Sequence, residues 1–368
     1  MFEFIPEEIT EKKRRVKTLM KALRLDAIYL KKSSNFAWIT GGGYNIVGFA
    51  TEMGVAGALI TADREYIVCS NIEASRMEKE ERLEDQGYTI ISFPWNEDRE
   101  ITIVQSLAGG NLGVDHAFPG AIDICAQLNP LRYSLTSWEV ERYRRQALDT
   151  ARLTEETALT IKPDDEERAV IGRLSERLWS YGMDFIVAFC AADERISLFR
   201  HPVATDKKIK KRAMISVNSR KRGLIVSITR FVQFGKVPPE IQKRYEDTVY
   251  VDTVMMAATI PGVQASEVYA AALRAYAEKG YPEEYRLHHQ GGAIGYIGRD
   301  YKVTAQSREI IQENQAFAWN PSITGAKSED TMLATKTGPI VLSEPALFPV
   351  MTVEQNGYRF RRPGIMEL

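Results

Sequence analysis

Ile9, Val16, Leu19, Met20 and Leu23 recur at helical spacing among lysines and arginines, which predicts an amphipathic helix over residues 7–23. A β-rich apolar run at 26–30 follows, then an apolar stretch at 36–40 that ends on Gly41, Gly42 and Gly43. Helix, strand and glycine turn therefore come in order. Runs at 56–60, 65–69, 88–93 and 111–114 predict further strands, with a helix over 71–86 among them. Alternation of this kind predicts an α/β domain over 1–135. Residues 128–137 contain Pro130 and little periodicity and read as the connection to a second domain.

Beyond that connection the pattern changes. Helical periodicity covers 138–161 and closes on Pro163, and a second helix covers 166–181 and closes on Gly182. β-type runs follow at 185–189, 214–217, 224–229 and 248–257, then a helix over 265–280, then strands at 316–319, 331–334 and 340–342. Helices flanking an antiparallel sheet predict an α+β domain over 136–368.

The length of 368 residues exceeds the usual single core, and two domains follow from size alone. With 44% hydrophobic and 26% charged residues the chain has the composition of an ordinary folded protein, which excludes disorder. Lys plus Arg number 48 against 49 Asp plus Glu, so no global field draws the chain to nucleic acid or to a membrane, and neither is expected as a partner. One stretch is locally basic, with Lys207, Lys208, Lys210, Lys211 and Arg212 before a turn and Arg220, Lys221 and Arg222 at it. Without interleaved aromatics it reads as a solvated turn. A second basic run, at 359–363, reads as an exposed tail or subunit contact. Cys69, Cys125 and Cys190 lack Cys-x-x-Cys spacing and cannot all pair, which suits a reducing compartment. No run of about 18 apolar residues occurs, and the charged first fifteen residues precede no apolar segment, so a cytoplasmic location is expected.

Glycines are dense at 288–295, His-His-Gln-Gly-Gly-Ala-Ile-Gly, but the spacing is neither Gly-x-Gly-x-x-Gly nor a P-loop, and no nucleotide is expected there. Together with other blocks this segment resembles the pita-bread family that includes aminopeptidase P, prolidase, methionine aminopeptidase and creatinase. Residues 14–43 resemble its N-terminal opening, with Asn35, Phe36, Trp38, Thr40 and Gly41. The helix from Trp138, with Glu139 and Arg142, resembles the linker helix of its catalytic domain. Phe199-Arg200-His201-Pro202, then 216–230, 288–300 and 319–330 match further blocks in order. The resemblance implies a small α/β N-terminal domain, an α+β pita-bread catalytic domain, and a homodimer.

Members of this type hold two divalent ions with two Asp, one His and two Glu, hard oxygen donors plus an imidazole that leave room for a bridging water. At the corresponding places stand Ser216, Ser227, Gly292, Asn320 and Glu329. Neutral hydroxyls and an amide cannot offset the dehydration of a divalent ion, so neither a dinuclear metal site nor another cofactor is expected. Creatinase lacks the metal and hydrolyses a C–N bond with a His and carboxylates, and its His matches His201. The resemblance thus implies a metal-independent C–N hydrolase acting on a small molecule or short peptide. His201 is its general acid/base and Glu329 the partner of His201, while His288, Asn320, Arg299, Ser216 and Ser227 bind substrate. His288 is favoured over His289, which on a regular strand faces the other way. Arg299 and the basic hairpin suit a neutral or anionic ligand. Two other readings stay open: a pseudoenzyme that only binds a peptide, protein or metabolite, and a metal-dependent Xaa-Pro-type peptidase whose site is rebuilt from Asp300 or Asp330 with His288 or His289.

Overall fold

The computed structural model describes residues 3–368. The chain divides into two compact units, one running to Arg132 and taking in Arg222–Leu224, the other comprising Tyr133–Lys221 and Ile225–Leu368.

In the first unit the helix Pro6–Leu23 starts on a proline, which needs no backbone donor in the first turn, and carries Glu7 and Glu8 there. It buries Ile9, Val16 and Met20, and Lys12 and Glu8 form a buried pair at 2.5 Å. Six strands form one mixed sheet in the order Thr89–Phe93, Glu65–Ser70, Met53–Thr61, Ala27–Lys32, Leu112–Val114, Ile122–Asp123. Ala27–Lys32 pairs antiparallel with Met53–Thr61 and parallel with Leu112–Val114. Because both faces of this central strand are covered, Ala27, Ile28, Tyr29 and Leu30 are all buried, as a continuous apolar run requires. The helix expected over 71–86 ends earlier, as Asn71–Lys79, and residues 33–39 form a short helix, Ser33–Ile39.

The second unit opens with the helix Ser137–Ala158, whose start is fixed by a reciprocal capping box between Thr136 and Glu139. The helices Glu167–Ser180, Pro239–Ala258 and Ala265–Glu278 follow at intervals among two larger sheets and two two-stranded ones. One sheet has the order Met366–Glu367, Leu224–Gln233, Arg212–Lys221, Asp184–Ala192. The other runs Tyr301–Lys302, Gly291–Ile294, Gln315–Trp319, Asp330–Thr335, Gly338–Val341, all antiparallel. Phe317, Trp319 and Met332 of this sheet pack with Val251, Met255, Val268 and Tyr276 of the last two helices into one core.

Residues 248–257 are not a strand but the last half of the helix Pro239–Ala258. Its β-branched residues imitate a strand, yet Thr248 and Thr253 return their hydroxyls to the carbonyls of Arg244 and Val249 at 2.8 and 3.0 Å, a contact that only helical geometry supplies. From Asp247 on the helix is buried nearly all round, so no apolar stripe stands out there. Residues 359–363 are not an exposed tail: Tyr358–Pro363 is a strand paired with Val350–Gln355, and Phe360 and Arg362 are buried. The basic run near the first hairpin is largely neutralised. Lys207 pairs with Glu194 at 2.7 Å, Arg220 with Asp184 at 2.9 Å, Lys210 with Asp164, and Asp193 accepts the backbone N–H groups of residues 210–212. Among the described residues no helix is long and apolar enough to cross a membrane.

Candidate active site

The strands Arg212–Lys221 and Leu224–Gln233 turn through two residues, Arg222 (φ 49°) and Gly223 (φ 86°), the left-handed pair that a tight hairpin uses. A two-residue turn sets Ser216 opposite Thr229, and Thr229 Oγ1 donates to Ser216 Oγ at 3.1 Å. The other edge of Leu224–Gln233 meets the chain at the start of Asp330–Thr335: Thr229 N donates to Glu329 O at 3.0 Å and Ser227 N to Thr331 Oγ1 at 2.8 Å. This seam between the two sheets brings Glu329 to Ser216 and Thr229.

Both carboxylate oxygens of Glu329 are engaged. Oε2 accepts from Thr229 Oγ1 at 2.9 Å and Ser216 Oγ at 3.2 Å and lies 2.7 Å from Lys327 Nζ, while Oε1 lies 3.4 Å from Arg299 NH2. Burial pushes its pKa up, but Lys327 and Arg299 pull harder, and the carboxyl settles at about 2. Lys327 Nζ also donates to Ser216 Oγ at 3.2 Å. Two cations on one carboxylate leave this cluster with one formal positive charge in excess. Sequence reasoning missed Lys327. The available signal was its position two residues before Glu329 in Lys327-Ser328-Glu329, which in extended chain puts both side chains on one face.

The imidazoles gather beside this cluster. His201, in the loop after the short helix Arg195–Leu198, presents Nε2 to His288 Nε2 at 3.2 Å and stacks on Phe189 with ring centres 5.5 Å apart. His288 and His289 stack on each other at 4.3 Å. His289 thus does not face away from His288: the two follow a 3₁₀ turn, Glu284–Leu287, and precede the strand that begins at Gly291, so strand alternation does not yet apply. Burial, reinforced by Lys327, pulls His201 below the usual imidazole range and His288 to about 2. Burial and the Arg299 guanidinium pull His289 to about 3. The expected bond from His201 to Glu329 is replaced, because Glu329 is held by Lys327, Arg299, Thr229 and Ser216 and the His201 Nε2 meets another imidazole.

His201, Ser216, Arg299, Asn320 and Glu329 line one cleft of about 390 Å³ together with His289, Lys327, Asn218 and the apolar Ile186, Val187, Phe189 and Val203. Asn320 N donates to Gln290 O at 3.1 Å, and its buried side-chain Oδ1 has no partner. Ser227 is not among the lining residues: it is fully buried and its Oγ is unpartnered, so a substrate contact from it is not supported by its position. His288 lies behind the cleft wall, reaching it through His201. Asp330, the candidate for a rebuilt metal site, turns away and is bound to Arg230, Arg362 and Ser343.

The donors around Glu329 do not fit a pair of divalent ions. The five places read as ligand positions carry two hydroxyls, a glycine, an amide and a carboxylate already neutralised by two cations. At Gly292 a Cβ atom would lie 2.0 Å from the Tyr301 carbonyl oxygen, so the strand Tyr301–Lys302 fills the space any side chain there would need.

An α/β unit followed by an α+β unit with paired sheets and a cleft at their seam is the two-domain architecture of the pita-bread proteins. The model of metallopeptidase family M24 matches residues 141–336 and that of the creatinase/prolidase N-terminal domain matches residues 12–121. The chain belongs to metallopeptidase family M24. It is 29% identical to the Xaa-Pro dipeptidase of Pyrococcus horikoshii over 151 residues, 39% of this chain and 42% of that protein. It is 29% identical to the agropine synthesis cyclase of Rhizobium rhizogenes over 130 residues, 33% of each. The matched stretches thus span less than half of either relative. The crystal structure of the prolidase from Pyrococcus horikoshii OT3 superimposes with a TM-score of 0.77 at 19% identity, covering 91% of this chain and 99% of that one.

Proposed function

We propose that the protein hydrolyses a C–N bond, in an amide, amidine or peptide group of a small molecule, without a metal centre and with His201 as general acid/base. The observation that carries this reading is a lowered, hence neutral, imidazole lining a cleft that also holds Lys327 and Arg299 on a single carboxylate. A neutral imidazole takes a proton from water, and the hydroxide so formed attacks the carbonyl carbon. The oxyanion that develops is stabilised by the excess positive charge of Lys327 and Arg299, which does for the transition state what a Lewis acid does elsewhere. The imidazolium then returns its proton to the nitrogen as the C–N bond breaks. Glu329 positions the two cations and keeps their charge from being expelled. Asn320 offers an unpartnered amide oxygen to a substrate N–H.

The cleft chemistry supports a ligand with an anionic end near Lys327 and Arg299 and an apolar part against Ile186, Val187, Phe189 and Val203, as in an N-acyl amino acid or a short peptide. That the two sequence relatives carry the names of a dipeptidase and a cyclase supports chemistry on this fold beyond one substrate. The test is turnover of N-acyl amino acids and dipeptides by protein dialysed against EDTA. His201→Ala should lower kcat by about 10²–10⁴-fold with an unchanged melting temperature. Turnover lost in EDTA and restored by Mn²⁺ or Co²⁺ would overturn the reading, as would binding without product.

A further inference from the structure

We infer that His201, His288 and His289 form a binding site for a single borderline transition-metal ion such as Zn²⁺ or Ni²⁺, through three imidazole nitrogens and no carboxylate. Only four histidines occur in the whole sequence, and three of them meet at this one place. One nitrogen from each ring lies within 4.8 Å of the other two. Among the described residues this is the one group of three or more His, Cys, Asp or Glu side chains so placed.

The distances suit a small ion. At a metal–nitrogen bond of about 2.0–2.1 Å, two ligands of a tetrahedral ion stand about 3.3–3.4 Å apart, and the Nε2 atoms of His201 and His288 are 3.2 Å apart. That pair already has the required bite. The third ring stacks on His288 with centres 4.3 Å apart and 28° between the planes. Among the described residues the His289 ring accepts one hydrogen bond, from Gly291 N to Nδ1 at a long 3.2 Å, so little hydrogen bonding is lost if that nitrogen turns to an ion. His201 is exposed, which gives the ion an entry path, while His288 is buried.

The surroundings select among ions. Lys327 and Arg299 stand close by on Glu329, so no free carboxylate is left to attract a hard cation such as Mg²⁺ or Mn²⁺. Imidazole donors alone favour Zn²⁺, Ni²⁺ or Cu²⁺. Such an ion would take the lone pair that His201 uses as a base. On the hydrolase reading above, on which this consequence alone rests, the ion therefore inhibits.

The experiment is calorimetric titration of EDTA-dialysed, then chelator-free, full-length protein with ZnCl₂ and separately MnCl₂. One equivalent of Zn²⁺ is expected, with no saturable Mn²⁺ binding. His289→Ala and, as a variant of similar bulk, His289→Gln should each weaken Zn²⁺ by at least about tenfold. The visible spectrum of bound Co²⁺ should show a tetrahedral ion in the wild type and lose it in both variants. Unsaturable binding, unchanged affinity in both variants, or two equivalents of Mn²⁺ would overturn the site. If Zn²⁺ binds as stated and leaves turnover untouched, the site stands and the role of His201 as base falls.

Discussion

Two charge clusters lie back to back in the second unit, and neighbouring residues feed them alternately. Thr229 and Glu329 belong to the cleft, where Lys327 and Arg299 share one carboxylate. Arg230 and Asp330, one residue further in each strand, belong to a fully buried network with Arg362, Glu155 and Asp252. There Arg230 binds Glu155 at 2.7 Å and Asp330 at 3.1 Å, while Arg362 binds Asp252 at 2.6 Å and Asp330 at 2.8 Å. Glu155 also takes three backbone N–H groups, from residues 346–348. The cleft cluster counts two cations and one anion; the buried one counts two cations and three anions. Excess positive charge lining an open cleft is available to a ligand. Excess negative charge in the fully buried network bears on one carboxyl: burial, opposed by Arg362, raises Asp252 to about 6, so it takes up a proton as the pH falls below that value.

The sharpest way to break this contrast is Asp330→Ala, which strips a partner from two buried guanidiniums at once. It should cost about 3–5 kcal/mol in denaturant unfolding; a loss below about 1 kcal/mol would show the inner network to be no more demanding than a surface pair. Lys327→Met tests the cleft side. It removes the excess positive charge and should weaken an anionic ligand by about 10–100-fold, the value of a charge-assisted bond, with a much smaller change in unfolding midpoint.

The two carboxyls also predict opposite pH dependences. Glu329 is depressed from 4.5 to about 2 in the folded chain. Between those values the unfolded state binds more protons, so its contribution is full above pH 4.5 and is lost as pH falls through about 2. Asp252 is raised from 3.8 to about 6. Over that interval the folded state binds more protons, so acidification from 6 toward 4 stabilises. Glu329→Gln and Asp252→Asn should each remove one of these slopes, at most about 1.4 kcal/mol per pH unit, from thermal unfolding followed between pH 2.5 and 7. Equal slopes in the variants and the parent would sink the assignment. The smallest effect is expected at Lys210→Ala, whose partner Asp164 is exposed: no measurable shift in midpoint.

Much of the fold was legible because its elements have clean periods. Pro6–Leu23 and Ser137–Ala158 bury one stripe each, and the strands around Ile67 and Phe317 carry β-type residues at strand length. Pro239–Ala258 was not legible, because burial on nearly every side erases the periodic contrast that reveals a helix. At the site, His201, Arg299 and Glu329 were legible as types at matching positions. Lys327 was not singled out, and the direction of His289 was misread, because it is set at the end of a 3₁₀ turn, which periodicity does not encode.

What the amino-acid order determined alone is the inventory: the segments whose period is clean, and which donors stand at each place, hydroxyls at 216 and 227, no side chain at 292, an amide at 320, a carboxylate at 329. The folded chain decided the pairings. Ser216 meets Thr229 because a two-residue turn fixes the register, and Glu329, already beside Lys327 in the chain, meets Ser216 and Arg299 only when distant segments close on it. The physical reason is range: propensity and period act over a few residues, whereas which charge neutralises which is settled by contacts between segments about 30 to 110 positions apart, where Coulomb attraction and desolvation act only after the chain has closed.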